Sequence, residues 1–204
     1  MRKVNINKML YIAIFSALIA VSSWISIPSA VPFTMQTFAL FFAFMTLGGA
    51  SGALASAVYI ALGIVGLPVF SGFGAGIGAV FGAGGGFIIA FPLSGILYAA
   101  LERLFGMGRK RKIAYSFISL VLIYACGSLW FSFVYANGTG IIEALTLTVL
   151  PFLLPDTVKI LLAFYASERV GAFINNNRGK SDGKRKNRQD QRAWQNCKDS
   201  RAHR

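Results

Sequence analysis

The chain has 204 residues, of which 55% are apolar, 14% aromatic and only 13% charged, with a mean hydropathy of +0.61; soluble domains carry about 25% charged residues, so that class is excluded. No Asp, Glu, Lys or Arg stands between Lys8 and Glu102, nor between Lys112 and Glu143. A water-facing surface cannot be built from such runs, and each exceeds the roughly 20 apolar residues one membrane crossing needs, which predicts several spans joined by short turns.

In chain order, Arg2, Lys3 and Lys8 precede an apolar segment at about 9–27, which is interrupted by Pro28 and Pro32. This start resembles that of a signal peptide, but its apolar part exceeds the usual 7 to 15 residues and further spans follow, so a retained first helix is expected. A second span is predicted at about 33–47, ending at Gly48-Gly49, and a third at about 51–65, ending before Gly66 and Pro68. Both are short for a full crossing, which bears on their tilt and on local bilayer thickness. Residues 67–86, LPVFSGFGAGIGAVFGAGGG, hold eight glycines and no charge. Such a segment has too little bulk and too much backbone freedom for an ordinary spanning helix, and at membrane depth it must be packed in protein or line a cavity. Spans four to six are expected at about 87–104, 113–135 and 150–173, giving an all-α, six-helix integral membrane domain over 1–174.

Charge placement supports the even count. Cations cluster at Arg2/Lys3/Lys8, at Arg109-Lys110-Arg111-Lys112 and from Arg169 onward, after zero, four and six spans, while the loops at 28–34, 67–86 and 136–149 hold no Lys or Arg. By the positive-inside rule the cluster side is the cytoplasm and holds both termini. The net charge of +13 does not imply nucleic acid, because residues 175–204 carry ten Lys/Arg against Asp182, Asp190 and Asp199. That tail has too little apolar surface to offset its ordering entropy, so it is expected to be disordered, with topology or anionic headgroups as its uses. Cys126 falls in an apolar span and Cys197 in the tail, so no internal disulfide is expected.

Catalytic constellations are missing their parts. The single histidine, His203, lies in the tail, so neither paired-histidine metal ligation nor a Ser-His-Asp triad can form in the membrane domain, and no cofactor is expected. Gly179-Lys180-Ser181 resembles the end of a nucleotide-binding loop, but Ile174 stands where its first glycine belongs, so ATP use by this chain is not expected. The segment Gly72–Gly78 fails the spacing of a dinucleotide-binding turn.

Within the spans, Asp156 and Lys159 form one ionisable pair on a single helix face. Each costs at least roughly 2.5–3.5 kcal/mol at mid-membrane, so they should face the bundle interior and meet a partner. Two readings stand: a self-neutralising ion pair, or a ligand site. Pro151 and Pro155 favour the second, since they interrupt backbone pairing and place Asp156 near a helix start, where N–H groups and the positive dipole end favour anions. A small polar molecule with an acidic end would suit such a pocket. Gln36, just inside span two, is either an interhelical hydrogen-bonding group or a ligand contact. Among the aromatic residues, Phe70 and Phe73 in the glycine segment and Phe87 at the start of span four are candidates by position. Small-residue stripes, Ala13/Ala17 in span one and Gly48/Gly52/Ser56 with Ala53/Ala57/Ala61 around span three, serve helix packing here or docking of another membrane subunit.

Three stretches taken together, VPFTMQTFALFFAFMTLGG, GLPVFSGFGAGIGAVFGAGGGFIIAF and LPFLLPDTVKILLAF, resemble in order and spacing the BioY family, the biotin-specific substrate-binding (S) components of energy-coupling factor (ECF) transporters. The resemblance covers about Ile12 to Val170 and leaves out the tail. It implies a six-helix protein in a prokaryotic cell membrane that captures biotin from outside and associates with a transmembrane coupling subunit and two ATPase subunits. It also implies ligand contacts at Asp156, Lys159, Gln36, Phe70, Gly84, Gly85 and Phe87. Lys159 would meet the valerate carboxylate, Asp156 the ureido N–H groups, and Ala13 and Ala17 the coupling subunit. The pocket would be formed by spans four to six and capped by the glycine segment. Members read close to GPTGGY where this chain has Gly82-Ala83-Gly84-Gly85-Gly86-Phe87, which removes a proline, a hydroxyl and a phenol. The alternatives are an S-component for another vitamin and an autonomous secondary carrier of a small carboxylate-bearing substrate.

Overall fold

The structure, a computed structural model, describes residues 6–28, 32–135, 145–146 and 149–171. Its helices are α1 (Ile6–Trp24), α2 (Gln36–Leu47), α3 (Gly49–Ile64), the single turn α4 (Ile77–Val80), α5 (Gly85–Phe105), α6 (Arg109–Trp130) and α7 (Leu150–Gly171), whose first turn is 3₁₀. By packing, Met1–Ser167 form one unit and Glu168–Arg204 a second, of which only the last residues of α7 are described. Among the described residues four helices, α1, α5, α6 and α7, are long and apolar enough to cross a membrane, while α2 and α3 are shorter at 12 and 16 residues. At 1.5 Å per residue those two reach only about 18 and 24 Å, short of a roughly 30 Å hydrocarbon core.

The packed neighbours α3 and α5 run antiparallel, and small residues set their spacing. A single residue, Gly48, joins α2 to α3 at φ +83°, a left-handed conformation that glycine adopts without penalty. A side chain at Gly95 of α5 would strike the Ala53 backbone of α3, and one at Gly49 would strike Ala99. Gly49, Gly52 and Ala53 of the α3 stripe are therefore spent inside the bundle, where they let neighbouring elements approach closely, while Ala61 is exposed. The start of α3 has no side-chain cap of its own; the Glu102 carboxylate of α5 accepts the Gly49 N–H at 2.9 Å. At a helix N-terminus a carboxylate meets both an unpaired donor and the positive end of the dipole.

The opposite end of the bundle is more irregular. Ser26–Ile27 and Phe33–Thr34 pair as two short antiparallel strands between α1 and α2, an element not anticipated in the 28–34 loop. Residues 67–84 fold as a 3₁₀ turn at Ser71–Phe73 followed by α4, tied to the bundle where Ser23 Oγ donates to the Val69 carbonyl and Trp24 Nε1 to Pro68 at 2.9 Å. The helix after this segment starts at Gly85, two residues ahead of the predicted Phe87, because Gly85 and Gly86 let α5 press against Val80 and Trp130. Trp130 Nε1 closes the end by donating to the Gly82 carbonyl at 3.1 Å.

Candidate ligand-binding site

A cavity of about 280 Å³ lies at this irregular end, close to the roughly 300 Å³ at which small-molecule pockets begin. Its apolar wall is Phe70 from the glycine segment, Phe87, Ile88 and Phe91 from α5, Ile123 from α6 and Phe152 from the first turn of α7. Two glycines make that wall possible. A β-carbon at Gly63 would fall 2.1 Å from the Phe70 ring, and one at Gly127 would fall 2.4 Å from the Phe87 ring. Neither ring could keep its place beside a larger residue.

The polar side of the cavity is the α7 pair with its partners. Asp156 and Lys159 are buried, and Lys159 Nζ contacts Asp156 Oδ1 at 2.8 Å. Lys159 also donates to the Thr34 carbonyl at 2.6 Å and sits 3.9 Å above the centre of the Phe33 ring. Asp156 accepts the Thr37 hydroxyl on Oδ1 at 2.9 Å and the Tyr124 hydroxyl on Oδ2 at 2.8 Å. Three other elements, the second short strand, α2 and α6, thus hold two charges supplied by one helix face. Each added hydrogen bond offsets part of the desolvation that burial imposes on the ions. The self-neutralising pair is formed, and it is formed in the wall of a cavity, so the two readings of this pair meet in one geometry.

Gln36, Phe70, Gly84, Phe87, Asp156 and Lys159 all contribute to the wall. Gln36 also makes the interhelical bond considered for it, donating from Nε2 to the Tyr59 hydroxyl of α3. Gly85 is not in the wall; it is packed against the Val80 carbonyl and the Trp130 indole. Phe73 is exposed and stacks on Trp24 at 5.3 Å. The cavity is not built from spans four to six alone, since Pro32, Thr34, Gln36 and Thr37 bring in the entrance to α2. Ala13 and Ala17 lie together on the exposed face of α1, remote in sequence from every wall residue. Thr34, Thr37 and Tyr124 escaped the sequence reading. Thr37 adjoins Gln36, the one signal near it, whereas Tyr124 shares residues 113–135 with Tyr115, Ser116, Ser119, Ser128, Ser132 and Tyr135, and nothing in the sequence sets it apart.

A bundle of apolar helices around a cavity with an apolar wall, a hydrogen-bonded ion pair and a glycine-rich rim is a membrane-embedded small-molecule binding protein. Residues 1–176 match the BioY family, and the chain belongs to that family. It is similar to the probable biotin transporter BioY of Pyrococcus horikoshii, with 38% identity over 161 residues that cover 78% of this chain and 93% of that one. It is also similar to the biotin transporter BioY of Thermotoga maritima, with 36% identity covering 77% and 91%, and to biotin transporter BioY2 of Lactococcus lactis, with 30% covering 87% and 98%. In fold it resembles the crystal structure of the S-component for biotin from an ECF-type ABC transporter, with a TM-score of 0.74 and 23% identity over 82% of this chain and 92% of that one.

Proposed function

We propose that this chain captures biotin as the S-component of an ECF transporter, with ATP hydrolysed on separate subunits. The observation that carries this reading is the Asp156–Lys159 pair in the wall of a largely apolar cavity, in a chain of the BioY family. Biotin joins a carboxylate on an apolar chain to a ring bearing two ureido N–H groups. Its carboxylate takes the place of Asp156 as anionic partner of Lys159, while Asp156, still held by Thr37 and Tyr124, accepts the ureido N–H groups. Lys159 exchanges one anionic partner for another, while Asp156 exchanges its cation for neutral donors, the Thr37 and Tyr124 hydroxyls it keeps and the ureido N–H groups it gains. Phe70, Phe87 and Phe91 cover the apolar parts of the ligand.

Purified protein should retain biotin, and Asp156→Asn or Lys159→Ala should weaken binding at least tenfold, about 1.4 kcal/mol. Unchanged affinity in both variants removes the pocket from consideration.

Lys8 in the first turn of α1 and the basic α5–α6 turn support, by the positive-inside rule, a cytoplasmic position for that end and a cavity toward the outside of a prokaryotic cell membrane. The exposed Ala13/Ala17 stripe of α1 then serves as the close-approach face for the transmembrane coupling subunit. Replacing both alanines with Trp should abolish co-purification with that subunit and leave biotin retention intact.

A further inference from the structure

The α5–α6 turn lies at the end of the bundle away from the cavity and contributes nothing to its wall. From Arg103 to Lys112 it reads RLFGMGRKRK, five cations and no acid, and the next acidic residue is Glu143. Leu104, Phe105 and Met107 are 74%, 60% and 57% exposed. Arg103, Arg109, Lys110 and Arg111 are exposed around them. The turn is a built structure. Gly106 N–H donates to the Glu102 carbonyl at 2.9 Å, the Tyr115 hydroxyl to the Gly106 carbonyl at 3.0 Å, and the Arg111 guanidinium to the Phe105 carbonyl. Glu102, the adjacent acid, accepts the Gly49 N–H and interacts with Lys112, which leaves Arg103, Lys110 and Arg111 as exposed cations beside the apolar side chains.

Two physical features choose the partner of this surface. The 21 residues of α5 rise about 32 Å, one hydrocarbon thickness, which sets Leu104, Phe105 and Met107 at the boundary between acyl chains and headgroups. The basic run opens α6, and the positive end of the helix dipole adds to its cations, so the potential there favours an anion. Exposed apolar side chains flanked by cations at that depth match an anionic phospholipid, whose phosphodiester pairs with the cations while its chains cover the apolar residues. We propose that the α5–α6 turn is a docking surface for anionic phospholipid headgroups. The proposal rests on the membrane placement of the chain and is independent of the molecule it carries.

The test uses the full chain with Cys126→Ala, Cys197→Ala and Met107→Cys, labelled at position 107 with a fluorophore. The protein is reconstituted into otherwise identical vesicles in which either phosphatidylglycerol or phosphatidylcholine bears brominated chains. Brominated phosphatidylglycerol should quench about threefold or more strongly, and R109Q/K110Q/R111Q should remove the preference while biotin retention stays unchanged. Arg103→Gln with Lys110→Gln repeats the measurement and should at least halve the preference, roughly as expected for charges acting separately. Equal quenching by the two lipids, or a preference that survives the substitutions and so comes from the basic tail, overturns the proposal.

Discussion

Each end of the bundle holds a carboxylate inside an apolar helix, and the two are satisfied by different means. At the cavity end Asp156 is met by a lysine and two hydroxyls from α2 and α6. At the other end Glu102 gives one oxygen to the Gly49 N–H at the start of α3, while its second oxygen is buried with no hydrogen-bond partner in the structure. The partners of Asp156 are side chains, Lys159 on the same helix and the Thr37 and Tyr124 hydroxyls on α2 and α6, and another molecule's polar atoms can take the place of Lys159. The partner of Glu102 is a backbone N–H at a helix terminus, which no ligand can exchange without undoing the α2–α3 corner. The same functional group therefore serves recognition at one end and architecture at the other.

Removing charges breaks this contrast most directly. Lys159→Ala leaves the buried Asp156 with two hydroxyl donors and no cation, and should cost about 3–5 kcal/mol of stability as well as biotin retention, read by thermal unfolding in detergent and by ligand binding. Stability equal to that of the unaltered protein would show that the pair is not buried as described. Next in size, Glu102→Ala leaves the start of α3 uncapped and should lower stability by about 1–3 kcal/mol with biotin affinity unchanged. A loss of affinity at unchanged stability would mean the two ends are coupled and the division of roles is wrong. Gly63→Ala probes the wall itself, since the added methyl group displaces Phe70. A cost of about 1–3 kcal/mol is expected to appear partly as weakened binding, in contrast to the Glu102 variant. The smallest effect belongs to Tyr124→Phe, which deletes one of the hydrogen bonds to Asp156. It should weaken binding by about 0.5–1.5 kcal/mol in a titration, and a loss exceeding that of Lys159→Ala would make the phenol the principal contact.

Much of the site could be read from residue types that are improbable in a membrane. Asp156 and Lys159 stand out because an apolar span offers them no solvent, and the run of glycines before α5 stands out because no ordinary helix is made that way. Thr34, Thr37 and Tyr124 carry no such signal, since a hydroxyl in an apolar span is common and satisfies itself on the local backbone, as Ser94 and Ser56 do here. Gly85 resembled a ligand contact by its place in a motif, yet its lack of a side chain is used for the passage of α5 against Val80.

Membrane residence, the positions of the apolar segments, the clustering of cations between them and the presence of one ionisable pair within residues 150–162 of α7 follow from the sequence alone, because each is a property of composition and helical spacing along a single segment. Which groups face that pair, that the entrance to α2 completes the cavity, and that Gly63 and Gly127 open space for Phe70 and Phe87 were decided by the tertiary structure. These depend on how closely helices distant in the chain approach one another. That distance is set by the packing of all of them at once and is written in no segment by itself.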